Sequence, residues 1–236
     1  MAKETPFAAV TRLMLDAWLR TTPERPAEPE TVYNDILEML SLKMRLTLFT
    51  VNGDDPLDWK MTAIRHSGFA SRVLNINKIF ADTTIGGFKD RSYMERAVIP
   101  RLLEVVHNQQ PRIELVKTKL FGVNLGYDRI LLPQRSTARP NWIISSSYAQ
   151  FLLNPPQRHA SLDVGDEAIV QLLIEGSTAK EIAVTLGISH RTVEHRLERM
   201  KERFAAKNTI HLAAMLIATH MDRASHATEI PEPPGS

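Results

Sequence analysis

Between Thr178 and Phe204 the sequence reads TAKEIAVTLGISHRTVEHRLERMKERF, and its signals require two short helices joined at a tight corner. Thr178 with Glu181 has the spacing of a capping box, in which a hydroxyl and a carboxylate satisfy the open amide donors of a helix start. Ile182, Ala183 and Leu186 follow at helical spacing. Gly187 then breaks the helix, because glycine takes the left-handed conformation that ends one. Ser189 can cap a second helix that runs to about Ala206. Ile182, Ile188, Val193 and Leu197 would form the small core between the two, with Ala183 small where they approach. Upstream, EAIVQLLIEG reads as a helix closed by Gly176. Downstream, Asn208 or Thr209 opens a last helix, IHLAAMLIATHM. Residues 162–221 carry no strand signal, so an all-α four-helix domain containing a helix-turn-helix is expected there.

The second helix of such a corner can enter a DNA groove, but the chain as a whole is not strongly basic. Its formal net charge is only +2, so a claim on nucleic acid must rest on a local face. From Ser189 to Asn208 there are six basic residues (Arg191, Arg196, Arg199, Lys201, Arg203, Lys207) against three acidic ones (Glu194, Glu198, Glu202), a net of +3. The acids are four apart and share a stripe. A glutamate can accept from a cytosine amino group, or pair with a neighbouring arginine and orient it. The acids therefore lower non-specific affinity without excluding DNA. Glu202 is read as solvated surface.

The run GSTAKEIAVTLGISHRTVEHRLERMK resembles the LuxR-type (GerE-like) helix-turn-helix family of bacterial transcription regulators. Lys180-Glu181-Ile182-Ala183, Leu186-Gly187-Ile188-Ser189, Arg191-Thr192-Val193 and Arg203-Phe204 carry the resemblance, which covers about the last quarter of the chain. Two positions depart from the family pattern: Gly165 stands where an arginine is usual, and Arg196 where a histidine is common. The resemblance places Glu194, His195 and Glu198 among the base-contacting positions. It makes Arg196 and Arg199 candidates for phosphate or guanine, and Lys180 and Thr192 candidates for the DNA backbone. Ser189, Arg191 and Arg203 complete the expected DNA-facing set. It also implies a homodimer paired through the last helix, where Ile210, Ala213, Ala214, Ile217 and Met221 recur at helical spacing. Such a dimer would present two recognition helices to a pseudo-palindromic duplex.

Residues 6 to 20 form an amphipathic pattern with Phe7, Val10, Leu13, Met14, Ala17 and Trp18 on one stripe. TTPERPAEPE follows, with three prolines in ten residues, and reads as a linker. The stripe must be buried on its own chain or on a second copy. A second copy is the favoured partner, through Val10, Leu13, Met14 and Trp18. Residues 31–155 then alternate in type. TVYNDILEMLSLK is helical, RLTLFTV and WKMTAIR are strands around the turn NGDD, and residues 90–109 are helical with a break near Pro100. RIELVKTKL, YDRILLP and NWIISSSYAQFL are strands separated by the turns GVNLG and QRSTARP.

This order resembles the PAS sensor fold, and Tyr127–Pro133 followed by Trp142-Ile143-Ile144 resembles the closing hairpin of some bacterial PAS domains. The expected class is an α+β PAS-like domain, an antiparallel sheet with helices, followed by the all-α helix-turn-helix domain. Boundaries are expected at 1–30 (helix and linker), 31–155 (PAS-like), 156–161 (linker), 162–221 (helix-turn-helix) and 222–236 (a polar, proline-rich, disordered tail). A PAS unit implies a cavity for a small molecule. Phe69, Val73, Ile79, Phe80, Ile85, Phe88 and Trp142 are its candidate walls, each equally suited to plain core.

Composition removes several alternatives. There is no cysteine, which excludes disulfides, thiolate nucleophiles, Cys-based zinc sites and flavin–thiol photochemistry. Haem needs an axial ligand, and His66 and His107, the internal candidates, lie in polar surroundings; an apolar small-molecule effector is expected instead, with an unliganded interaction domain as the alternative. Asp54-Asp55 reads as a turn, and Gly86-Gly87 lacks the further glycines of a phosphate loop. Asp58, His66 and His107 have no catalytic spacing, so no enzyme is expected. No signal peptide or membrane-spanning run is present, which points to a cytoplasmic protein without a membrane partner. The reading is a signal-responsive transcription regulator that binds double-stranded DNA as a dimer, with RNA polymerase as a further partner. A quorum-sensing acyl-lactone regulator and a sigma-factor-like promoter-binding protein are the alternatives.

Overall fold

A computed structural model describes residues 6–66, 74–153 and 162–226, with side chains to residue 217 in the last helix. The chain divides into two compact units, Met1–Leu152 and Leu153–Ser236. Among the described residues no helix is long and apolar enough to cross a membrane.

The first unit is built on one sheet of six strands: β1 (Met44–Thr50), β2 (Lys60–Arg65), β3 (Thr83–Thr84), β4 (Arg112–Leu120), β5 (Val123–Pro133) and β6 (Trp142–Leu153). Their order is β3-β2-β1-β6-β5-β4, and the sheet is antiparallel. The closing strand β6 thus lies in the middle, paired along its length with β1 from Met44↔Tyr148 to Thr50↔Trp142.

Because strand side chains alternate between faces, the sheet carries two different cores. One face presents Met44, Leu46, Ile130, Leu132, Trp142 and Ile144. Helix α1 (Pro6–Arg20) lies on it with Phe7, Val10, Met14 and Trp18, beside Val32, Tyr33 and Ile36 from α2 (Glu30–Tyr33) and the 3-10 turn Asn34–Met39. Val10 and Met14 are at most 1% exposed. The expectation that Val10, Met14 and Trp18 pair with a second copy is therefore corrected: the chain's own sheet offered an apolar face, and the stripe covers it. Leu13 is partly buried against the same cluster.

The proline-rich segment after α1 is tied down as well. Trp18 Nε1 donates to the carbonyl of Pro133 at 2.6 Å, and both Trp142 Nε1 and Gln134 Nε2 donate to that of Ala27 at 3.0 Å. Arg135 donates to the carbonyls of Leu19 and Thr21. Residues 21–30 are thus a stitched crossing rather than a free linker.

The other face packs against α3 (Ile76–Ile79), α4 (Arg91–Tyr93) and α5 (Ile99–Asn108). A π turn, Met94–Val98, joins α4 to α5. Pro100 supplies no N–H to the preceding turn, and the ladder widens there, with the Ile99 N–H reaching Met94. The segment expected as the turn GVNLG is mostly strand. Phe121 and Gly122 alone make the hairpin, at φ 49° and 77°, and Leu120 pairs with Val123. Gly126 is instead a close-approach site: a β-carbon there would stand 2.3 Å from the Phe151 ring.

The second unit holds α6 (Val164–Ile174), α7 (Ala179–Leu186), α8 (His190–Phe204) and α9 (Thr209–His226). Ile169, Val170, Ile182, Ala183, Val193, Leu197, Met200, Phe204, Leu212 and Leu216 form its core. Ile188, expected in this core, is 37% exposed; it sits in the turn after Gly187, outside both helical stripes. In α9 the buried side chains are Leu212, Met215 and Leu216, so the expected stripe is the outer one, with Ile210 and Ile217 exposed and Ala213 and Ala214 half-buried. The side chain of Met221 lies outside those described. Helix α9 runs to His226, into the segment expected as a disordered tail from 222; Pro231 is the first proline after Asn208.

Candidate nucleic-acid interface and enclosed cavity

The corner between α7 and α8 is fixed by local chemistry. Thr178 and Glu181 form the complete capping box, and Gly187 ends α7 at φ 64°. The Ser189 hydroxyl accepts from the Thr192 N–H at 3.0 Å and lies 2.8 Å from the Thr192 hydroxyl. Ser189 thus caps α8, with Thr192 in its first turn. Asn208 caps α9 by accepting from His211 N–H.

Helix α8 buries Val193, Leu197, Met200 and Phe204, a stripe spaced i, i+4, i+7, i+11. Arg191, His195, Glu198 and Glu202 have the same spacing half a turn away, and all four are exposed. Glu194, Thr192 and Arg199 flank that face and are exposed too, as is Lys180 on α7. Arg191, His195 and Arg199 make no side-chain hydrogen bond or ion pair among the described residues. Glu194 lies 3.5 Å from His190 Nδ1. Glu198 pairs with Lys201 at 2.6 Å, a lysine rather than the arginine expected. Glu202, read as plain surface, shares the outward face.

Two of the expected DNA-facing residues are paired within the domain. Arg196 Nη1 donates to Asp163 at 2.9 Å and to Asp166 at 2.8 Å, and Arg203 Nη1 donates to Asp166 at 3.2 Å. The side chain of Asp166 is 1% exposed. A buried carboxylate requires paired cations and donors, and α8 supplies both. Arg196 and Arg203 lie on the flank of α8 that meets the start of α6, where they hold Asp166, a structural role the sequence did not assign them. Asp163 also caps α6, accepting from the Asp166 N–H at 2.7 Å. That backbone bond first, and Arg196 second, hold the Asp163 carboxyl below its usual range, and the Asp166 and Asp163 bonds raise Arg196. Sequence reasoning missed both aspartates; the signal was an Asp-x-x-Asp at a helix start.

The first unit holds a partly open cavity of about 80 Å3 between the sheet and its helices. Alternation brings Arg45, Thr47 and Phe49 of β1, Leu125, Tyr127 and Arg129 of β5, and Ser145, Ser147 and Ala149 of β6 to its floor, with Lys43 at the edge. Ile76, Phe80, Tyr93, Met94 and Val98 roof it. Of the expected walls among the described residues, only Phe80 lines it. Ile85 and Phe88 are buried in the core beside it, and Ile79 packs against that core. Trp142 is on the opposite face of the sheet, because it alternates with Ile143. Phe69 and Val73 lie outside the described residues. His66 and His107, weighed as haem ligands, are exposed and not in the lining.

The polar lining was not anticipated. Arg129 is held by Glu114, by the Ala97 carbonyl at 2.8 Å and by the Tyr127 hydroxyl at 3.4 Å. Tyr127 and Tyr93 share a hydroxyl pair at 2.9 Å. Burial pushes both phenols up. Arg45, 6% exposed, donates through Nε to Thr47 at 3.1 Å and through Nη2 to the Phe80 carbonyl. Its Nη1 is buried without a partner. Burial lowers the Arg45 guanidinium to about 10, against the pull of Asp82. The readable signal was Arg45 with Thr47 and Tyr127 with Arg129, polar side chains two apart in strands that are otherwise largely apolar.

Residues 166–216 match the family described as bacterial regulatory proteins, luxR family (GerE). No curated protein matches the chain. Among solved structures, a Vibrio cholera VqmA–ligand–DNA complex is 12% identical, over 79% of this chain and 85% of that one, at a TM-score of 0.34. A structure described as VqmA bound to DPO is 17% identical, over 66% and 72%, at 0.24. Escherichia coli SdiA is 17% identical, over 91% and 98%, at 0.26.

Proposed function

With residues 166–216 forming a luxR-family DNA-binding domain, of regulatory proteins rather than enzymes, we propose that this chain is a signal-responsive cytoplasmic transcription regulator. It binds a pseudo-palindromic duplex as a homodimer, under the control of a PAS-like unit. The observation that carries the DNA reading is the outward face of α8, where Arg191, His195, Glu198 and Glu202 are exposed beside Arg199 and opposite the buried stripe. Basic side chains at the edges position a helix on phosphates, and central side chains read base edges. The N-terminal end of α8, capped by Ser189, favours anions. The half-exposed outer stripe of α9, Ile210, Ala214 and Ile217, is the proposed dimer surface.

The PAS-like reading is supported by two strands, a helical stretch and three further strands, with β6 returned beside β1 and a cavity under the helices. A small molecule held there would shift the population between DNA-competent and incompetent states through its differential affinity for them.

The deciding experiment is selection of the purified full chain against a random duplex library, followed by titration of the Arg191→Ala, Arg199→Ala variant. A consensus with two-fold symmetry is expected. The double variant should bind it more weakly, with the slope of log affinity on log salt reduced by about 0.9 per lost phosphate contact. No enriched sequence, or an unchanged slope in the folded variant, overturns the reading.

A further inference from the structure

The hydrogen-bond inventory of the cavity is lopsided. Among the described residues Arg45 Nη1 has no acceptor, and the other two nitrogens of its guanidinium end on neutral oxygens, the Thr47 hydroxyl and the Phe80 carbonyl. The tyrosine pair adds a second open donor. Two hydroxyls carry two protons, and only one can lie between them. If Tyr93 donates to Tyr127, the Tyr127 proton needs an acceptor; if the direction reverses, the Tyr93 proton does. Tyr127 already faces a donor in Arg129 Nη1. No acceptor for the spare proton is found among the described residues.

The charge is equally one-sided. Lys43, Arg45 and Arg129 line the cavity and no acid does. Arg129 is neutralised by Glu114. Asp82 accepts from the backbone of Ala63 rather than from Arg45. Asp82 acts on Arg45 only through space, and a guanidinium removed from water without a bonded anion is costly, so the folded unit holds a standing attraction for an anion. Phe49, Met61, Ile76, Phe80 and Leu125 make most of the remaining wall apolar, which selects an organic body over a fully hydrated inorganic ion. Size sets the rest: a cavity of about 150 Å3 holds benzene, so about 80 Å3 fits roughly three to six non-hydrogen atoms.

We infer that this cavity is a built site for a short-chain carboxylate, its oxygens on Arg45 Nη1 and the free hydroxyl of the Tyr93–Tyr127 pair, its carbon chain against Phe80 and Leu125. The inference rests on the sensor reading above for its regulatory meaning, and on the cavity alone for its chemistry. It departs from the apolar effector expected from the sequence, because the buried donors became visible only once the strands were registered.

The test is calorimetric titration of the full chain with propanoate, 2-methylpropanoate, pyruvate and butanoate, each beside its neutral amide, and with inorganic phosphate. At least one acid is expected to bind tenfold or more tightly than its amide and than phosphate. Arg45→Gln should erase that preference, Arg45→Lys should keep part of it, and Tyr93→Phe should weaken the acid alone. If the Gln variant fails to fold, the acid–amide contrast in the unaltered chain and the Lys variant carry the test. Equal binding of acid and amide, preferential binding of phosphate, or no heat from any acid overturns the site. Acid binding that leaves DNA affinity unchanged keeps the site and overturns the sensor role. A neutral compound that changes DNA affinity while every acid fails does the reverse.

Discussion

Arg196 fills the place of a side chain that Gly165 lacks: its Nη1 lies 3.0 Å from where a β-carbon on Gly165 would stand. These are two positions set apart in sequence from the resembled family's pattern, and they touch. The Arg196 guanidinium reaches Asp163 and Asp166 from α8. Arg196→Ala should therefore act on stability. It leaves buried Asp166 with Arg203, and a loss of about 2 kcal/mol is expected in urea unfolding. Arg199→Ala, on the exposed side of the same helix, should stay within about 0.5 kcal/mol and lower DNA affinity instead. Unfolding and DNA titration of both variants check the division; a stable Arg196→Ala with reduced salt slope would return Arg196 to the interface.

The contact also predicts coupling. Gly165→Arg should put two guanidiniums in one site and destabilise the second unit. Adding Arg196→His, which restores the family's residues at both positions, should recover most of that loss. Contacting residues deviate from additivity by about 0.5–3 kcal/mol, so a thermal-unfolding cycle over the four proteins resolves it. Additive losses would show that the contact is incidental.

The same corner sets a pH dependence. Asp163 is held below its ordinary value by the Asp166 N–H and then by Arg196, so the unfolded chain binds the proton more readily. Its stabilisation is present above the unfolded carboxylate value, near pH 4, and is lost as pH falls through the lower folded one. Urea midpoints between pH 6 and pH 3 should fall for the unaltered chain. They should fall less steeply for Asp163→Asn, which keeps the cap but not the charge. Parallel curves would remove Asp163 from the linkage.

Local rules made most of the fold legible. The 3.6-residue spacing of Val10, Met14 and Trp18 located α1 at its observed ends, and Gly187 with Ser189 located the corner. Alternation found five of the six strands. What failed was information carried by distant partners. Nothing in α1 itself says whether Met14 meets a sheet or a second copy. Arg196 and Arg199 read alike in sequence, yet α6 supplies acids to one of them only. Trp142 read as a cavity wall because its face depends on register with β1, which one strand alone does not reveal. Arg45 was taken as the first residue of a strand, and its buried, open guanidinium follows from β5, β6 and the helical roof together.

On the outward face of α8, Glu198 is the informative acid. It sits between His195 and Glu202 and holds Lys201 at 2.6 Å. Near a duplex it repels phosphates everywhere and is repaid only at a cytosine amino group. Glu198→Ala should raise affinity for random duplex severalfold and relax preference at one base pair of each half-site, a change of about 1–3 kcal/mol in discrimination. Repeating the selection with the variant reads both effects at once. An unchanged consensus would reduce Glu198 to a partner of Lys201.

The fate of α1 separates self-packing from pairing. Met14 is fully buried against the sheet, whereas Leu19, one turn further on, is 62% exposed. Met14→Ala should leave a cavity in the face formed by Met44, Leu46 and Ile144 and cost about 2–5 kcal/mol. Leu19→Ala should stay within about 0.5 kcal/mol. Because the Met14 contacts lie within one chain, the difference in midpoint between Met14→Ala and the unaltered protein should not vary with protein concentration. A stripe buried by a second copy would make that difference depend on concentration by mass action. Unfolding at two concentrations a hundredfold apart distinguishes the two, and a concentration-dependent loss would move α1 from the sheet to a dimer interface.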